Sequence, residues 1–188
     1  MLKEFDNPPS LYPPAAELLS LTGRWWVGHT KARFEKSFAW DLLARKIPYF
    51  LPMVQRVHAS AGRKWKTLVP LFASYVFFNG DDIARANALT TNRLCQVVRV
   101  VNQDELVGEL LNIHRVIQAG ITLQPLASAT VGSRCRVIRG PLQGIEGTLI
   151  RRNHQTRFVL HVSVLGQDAE LEIEPDLLET IESVCSVS

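Results

Sequence analysis

Two apolar rhythms alternate along this chain, one with the period of a helix and one with the period of a strand. Phe34, Phe38 and Leu42 recur every fourth residue with Ala39 and Leu43 beside them, so residues 33–46 are predicted as a helix with one apolar stripe. Pro48 stops it. Leu106, Leu110, Ile113 and Ile117, widened by Val107 and Leu111, repeat the pattern over residues 104–120, where Gly120 is a natural C-cap. Asp81 or Asp82 caps a shorter helix running through Leu89. Strands fill the intervals. Trp25-Trp26-Val27-Gly28-His29-Thr30 is aromatic and β-branched, and residues 49–58 with residues 65–69 read as a hairpin bent at Pro52. Residues 70–78 form the most apolar window and are predicted as a central strand ending at Asn79-Gly80, with another strand at 94–101.

Beyond residue 130 the period is two. Val131 to Gly147 reads as strand, tight loop and strand, with Gly140-Pro141 and Gly144 supplying the turn, and residues 146–152, 157–164 and 169–174 alternate in the same way. Short strands of this kind bury little unless the sheet curls, so a small closed barrel is predicted. Residues 120–129 lack periodicity and contain Pro125, which makes them the expected linker. Residues 1–22 hold Pro8, Pro9, Pro13 and Pro14 and one short apolar cluster, and are expected to be a flexible arm with at most a turn near residues 15–21. The organisation is therefore an arm (1–22), a mixed domain (23–119), a linker (120–129) and a β-domain (130–183).

Composition narrows the function classes. The 188 residues accommodate two modest domains, and no apolar run reaches the roughly 18 residues of a membrane span. Acids in the first six residues argue against a secretory signal, so a cytoplasmic location is expected. Cys95, Cys135 and Cys185 are odd in number and far apart, which speaks for free thiols rather than a disulfide framework or a zinc site. Charge is uneven. Residues 1–125 carry 15 Lys/Arg against 10 Asp/Glu, whereas residues 126–188 carry 6 against 8. A net charge of +3 supports modest contacts with nucleic acid and is too weak for tight sequence-independent binding by itself. His29, His58, His114, His154 and His161 make no paired metal-ligand spacing, and no base accompanies Cys135, so no catalytic residue, metal or cofactor is expected. The glycine-rich loop matches neither GxGxxG nor GxxxxGK[ST].

The loop at residues 131–147 resembles the KOW motif. Trp25-Trp26-Val27 followed by the Phe34 helix, with Leu71-Phe72-Ala73-Ser74-Tyr75-Val76-Phe77-Phe78, resembles the NusG family of transcription elongation factors and its specialised RfaH-like paralogues. The fold class this implies is α+β: an amino-terminal NGN-type α/β sandwich, an antiparallel sheet flanked by helices, joined by a linker to a carboxy-terminal KOW β-barrel. The function it implies is a non-enzymatic elongation or antitermination factor that binds the clamp coiled coil of RNA polymerase and reduces pausing or termination. On this resemblance Leu51, Pro52, Phe72, Tyr75 and Phe77 match the polymerase-binding surface, although core packing explains apolar residues there equally well. Lys31, Arg45, Lys46, Asn92 and Arg93 match a patch facing the non-template DNA strand, against the simpler reading of a solvated helix face. Trp40 lies off the helix stripe, available to stack on a base or to cover a sheet edge, and Arg63, Lys64 and Lys66 decorate the hairpin tip. In the β-domain Arg134, Arg136, Arg139, Arg151 and Arg152 match a surface for a ribosomal protein or a termination factor, or for RNA, against the simpler reading of charges that protect sheet edges.

Departures from the family pattern carry information. Ala73-Ser74 stands where the family has Pro-Gly, and Arg85-Ala86-Asn87-Ala88 stands where RfaH-like members carry a His-Thr-Thr-Thr run for the polymerase gate loop. The divergence favours an operon-selective factor, and the run that makes the gate-loop contact in RfaH-like members is not matched, which leaves that contact open. Some RfaH-like barrels refold as helical hairpins, whereas residues 157–174 alternate as strands here. A monomer is expected. The alternative is a ribosome-associated RNA-binding protein using the KOW module alone, a class usually more basic than +3.

Overall fold

The computed structural model describes residues 7–14, 18–60, 62–126, 132–152 and 155–182, with 151, 152, 155 and 182 described by backbone alone. The chain divides into two units, Met1–Val107 and Gly108–Ser188.

The first unit is built on a five-stranded antiparallel sheet. Its strands are β1 (Leu11–Tyr12), β2 (Arg24–Thr30), β3 (Tyr49–Phe50), β6 (Tyr75–Gly80) and β7 (Leu94–Arg99), in the spatial order β1-β3-β6-β2-β7. The apolar strand β6 is central, as expected. Residues β4 (Met53–Ser60) and β5 (Arg63–Pro70) pair as a separate hairpin. Helices α1 (Glu35–Ala44) and α2 (Asp82–Leu89) lie on one face, where Phe38, Ala39, Leu42 and Ala88 pack with Trp26, Tyr49, Val76 and Phe78. Gly28 makes this approach possible, because a Cβ there would stand 2.9 Å from the Phe38 ring. Asp81 accepts the Ala84 N–H at 2.8 Å and caps α2, as its carboxylate and position predict.

Register places Leu11, Phe50, Phe77 and Val27 in one row across the opposite face of this sheet. All four are buried. Strand β6 starts at Tyr75, five residues later than its apolar run begins. The cause is the turn before it, where Ser74 adopts a φ of 68° and cannot continue an extended chain. The amino-terminal segment also departs from expectation. Residues 7–14 are anchored rather than free: Leu11 and Tyr12 pair with Phe50 and Tyr49, and the Leu51 N–H donates to the Ser10 carbonyl at 2.7 Å. Leu18 is buried in a 3-10 turn, Leu18–Ser20; residues 15–17 of the expected turn lie outside the described residues.

Helix α3 (Gln103–Gln118) spans the division between the units. At its start the Gln103 side chain accepts the Trp25 N–H at 2.8 Å and donates to the Trp25 carbonyl at 3.1 Å. Within the second unit, Glu109 accepts both the N–H and the hydroxyl of Ser163, at 2.9 and 2.5 Å, and Arg115 donates to the Gln143 carbonyl at 2.8 Å. Burial holds the pKa of His114 below the usual imidazole value.

The second unit is a six-stranded antiparallel sheet. Strands β8 (Gln124–Leu126), β9 (Ser133–Val137), β10 (Glu146–Arg152), β11 (Gln155–Val162), β12 (Gln167–Glu172) and β13 (Leu178–Glu182) take the order β13-β9-β10-β11-β12-β8. The strand, loop and strand read from residues 131–147 are present as β9 and β10, with Gly140 and Gly144 both at a φ of 85° in the loop, where a side chain would be strained. Phe158, Leu160, Ala169 and Leu171 form its most buried rows. Two expectations are corrected here. Residues 124–126, in the stretch read as a linker, pair with β12, a strand too short to show a period. The barrel is not closed among the described residues: β13 and β8 are the outer strands, β8 has three residues, and β13 loses register between Thr180 and Glu182. Among the described residues, three α-helices and antiparallel sheets give the α+β class expected. Among the described residues no helix is long and apolar enough to cross a membrane.

Candidate functional site

Ser74 fixes the end of the central strand, and with it Tyr75. Its N–H donates to the Glu35 carboxylate at 2.6 Å, and its carbonyl accepts the Thr30 N–H at 2.8 Å. Glu35 is buried in the first turn of α1, where a negative side chain complements the helix dipole, so one carboxylate serves both helix and turn. Register then sets Tyr75 opposite His29, and their rings stack with centroids 5.0 Å apart at 22°. Both are half-buried, which leaves an aromatic pair presented at the end of β6.

The other residues matched to this surface lie deeper. Leu51 and Phe77 are 0% exposed and Phe72 is 1% exposed. Pro52 is buried as well, its carbonyl accepting the Leu71 N–H. Leu51 joins the cluster beneath α1, while Phe72 and Phe77 meet edge to face at 6.3 Å and 87°. Phe77 shares the Tyr75 face of β6 and packs there on Phe72, whereas Leu51 belongs to the α1 side of the sheet. The sequence pattern marks which face a residue occupies; it misses His29, whose signal is its register with Tyr75.

A second group gathers along α1. Arg93 Nε meets Asp41 Oδ2 at 2.9 Å, and its guanidinium lies 5.3 Å from the Phe34 ring centroid. One turn beyond Asp41, the Arg45 guanidinium donates to the Asn87 carbonyl and, at 2.6 Å, to Thr90 Oγ1, where it satisfies the carboxy end of α2. Lys31, Lys46 and Asn92 are exposed; the backbone N–H of Lys31 bonds the Arg93 carbonyl, and Lys46 and Asn92 occupy left-handed turns at φ 58° and 57°. Trp40, on the outer side of the same helix, is 41% exposed. Arg93 and Arg45 thus make side-chain contacts with α1 and α2, while Lys31, Arg45, Lys46 and Asn92 are all exposed. Asp41 and Phe34, which position Arg93, carry no signal for that role in the sequence.

The hairpin carries a solvent-facing basic group at its tip. Arg63, Lys64 and Lys66 are exposed, Val57 is 60% exposed, and His58 stacks on Trp65 at 5.5 Å while its Nε2 bonds Thr67 Oγ1 at 2.8 Å.

In the second unit, Arg134 and Arg136 converge on Glu146, at 3.2 and 2.6 Å. Hydrogen bonding from Arg136, with the attraction of both guanidinium groups, holds the Glu146 carboxyl below its usual pKa. Arg139 reaches the Asp176 carbonyl at 3.4 Å. The side chains of Arg151 and Arg152 lie outside the described residues, as do His154 and Cys185. Cys95 is exposed and Cys135 buried, each as a free thiol. Among the described residues no group of three or more His, Cys, Asp or Glu side chains is placed to hold a metal ion.

The family model described as transcription termination factor NusG matches residues 23–115, which include α1, the hairpin, the central strand and both groups on the first unit. Over these residues the chain belongs to the NusG family. NusG-family proteins act in transcription elongation and antitermination. Among solved structures, Thermotoga maritima NusG matches with 17% identity over 88% of this chain and 100% of its own, at a TM-score of 0.47. A chain of the MjSpt4:Spt5 complex matches with 12% identity over 85% of this chain and 97% of its own, at 0.26. The assignment rests on the family model and not on these two likenesses. No curated protein matches the chain in sequence.

Proposed function

We propose that this chain is a transcription elongation or antitermination factor that binds the clamp of RNA polymerase, reduces pausing or termination, and acts on a restricted set of operons. On this reading it is not an enzyme, it works in the cytoplasm, and residues 23–119 engage the polymerase. Residues 130–183 form the KOW-type unit, with residues 120–129 as the connection. The observation that carries the reading is the Tyr75–His29 stack, part-exposed at the end of the central strand inside the NusG-family segment. An aromatic pair already ordered by stacking loses little entropy on docking and makes an effective anchor.

The finer roles follow from chemistry. Lys31, Lys46 and Asn92 contact the non-template strand, with Arg93 and Arg45 shaping the same surface from their bonds to Asp41 and Thr90. Arg134, Arg136, Arg139, Arg151 and Arg152 face a ribosomal protein or a termination factor. The departures at Ala73-Ser74 and at residues 85–88 favour operon selectivity.

Co-migration of the purified chain with RNA polymerase tests this reading. A folded Tyr75→Ala, His29→Ala variant is expected to lose about 2 kcal/mol of binding, roughly thirtyfold in Kd. Binding by that variant at unchanged affinity refutes the assigned surface.

A further inference from the structure

We propose that residues 7–14 are a guard strand, which keeps the chain from pairing with a second copy of itself through the outer edge of the five-stranded sheet. The sequence is Asn7-Pro8-Pro9-Ser10-Leu11-Tyr12-Pro13-Pro14, three residues with a backbone N–H bracketed by two proline pairs. Leu11 and Tyr12 stand in register with Phe50 and Tyr49, and Ser10 accepts the Leu51 N–H, which makes Leu11–Phe50 a pair without mutual hydrogen bonds and turns the Leu11 backbone to the outer side. Leu11 alone offers an N–H to the outer side, and the prolines on either side of the segment add no donor, so a further strand finds no ladder there.

The attachment is more elaborate than a two-residue strand requires. Tyr49 donates its hydroxyl to the Pro9 carbonyl at 3.0 Å, and the Tyr12 and Tyr49 rings stack at 6.1 Å. From α1, Lys36 Nζ donates to Asn7 Oδ1 at 2.6 Å and to the Leu68 carbonyl at 2.5 Å, so one ammonium ties the segment to the helix and to β5. Burial acts on both groups, lowering the pKa of Lys36 and raising that of Tyr49.

What lies beneath explains the need for a cover. Tyr49, Phe50 and Leu51 are fully buried and uncharged, and an apolar strand edge with open N–H and C=O groups is a template for another strand. The opposite edge of the sheet is protected differently, since β7 exposes Cys95, Gln96 and Arg99. A second copy suits the bare β3 edge because antiparallel pairing about a two-fold axis sets the same residues opposite one another, an isologous contact.

The test compares the full chain, a variant lacking residues 1–14, and a full-length variant with Pro8, Pro9, Pro13 and Pro14 all replaced by alanine. Light scattering after size exclusion reads the mass, and circular dichroism checks the fold. The unaltered chain is expected at its 21.1 kDa monomer mass. The deletion variant is expected as a dimer or larger, returning to monomer when a peptide of residues 7–20 is added, and the alanine variant is expected to associate with its strand in place. A folded deletion variant that stays monomeric, association the peptide does not reverse, or an unaltered chain equally associated overturns the proposal. Should the deletion variant not fold, the alanine variant decides, and a monomer there overturns it.

Discussion

Phe77 and Tyr75 sit two residues apart on one strand and on one face, yet the first has no exposed surface and the second stands half in solvent. Phe77 lies mid-sheet, with Val27 opposite it on one side and Phe50 on the other. Tyr75 lies at the strand end, with His29 opposite it on β2 and the Ser74 turn behind it. Alternation along a strand decides the face; distance from the strand end decides whether that face meets solvent. A ridge that reads as continuous from Phe72 to Phe77 is therefore a buried base with one ring pair at its tip.

The largest effect should come from the base. Phe77→Ala empties a site closed by Phe72 and its cross-strand neighbours, and is expected to cost about 3–5 kcal/mol, read as a lower denaturation midpoint. Tyr75→Ala truncates a ring that is already wet and should cost clearly less than Phe77→Ala, while it weakens polymerase binding as described above. Equal stability losses for the two would erase the distinction between base and tip.

Between them stands the turn. Glu35→Ala leaves the Ser74 N–H without its acceptor and is expected to cost about 1–3 kcal/mol, with Glu35→Gln, which keeps an acceptor oxygen, recovering most of it. The informative readout is the pair of ratios: if the turn aims Tyr75, Glu35→Ala weakens polymerase binding beyond its effect on stability. Binding unchanged in folded protein would show that the Tyr75–His29 stack holds itself.

The same contrast governs what the sequence discloses. The helices were legible because their stripes are long: residues 33–46, 82–89 and 104–120 contain α1, α2 and nearly all of α3. The central strand was legible as an element and not at its start, since Ser74 in a left-handed turn carries no signature where glycine is the usual occupant. Strands β1 and β8 were missed because two or three residues have no period, and an expected arm and an expected linker stood in their places. Closure of the barrel depends on whether the outer strands find each other, which no local pattern encodes. At the site, the sequence picks the face; the stack with His29, the Glu35 bond and the Asp41 bond to Arg93 are long-range pairings that only the fold supplies.

The smallest expected effect tests charge rather than rings. Glu146 gathers Arg134 and Arg136 on the surface of the second unit, where solvent and salt screen the attraction. Its folded pKa lies below the unfolded one, so its contribution is complete above the usual carboxylate range and is lost as the pH falls through the lowered value. Glu146→Gln should therefore lower stability slightly at neutral pH, flatten the acid limb of the stability curve, and lose its effect in high salt. It also removes the negative charge on which Arg134 and Arg136 converge. If Arg134 and Arg136 serve a partner, the substitution strengthens binding by a ribosomal protein or termination factor, while a purely edge-protecting role leaves that binding unmoved and changes only the acid limb.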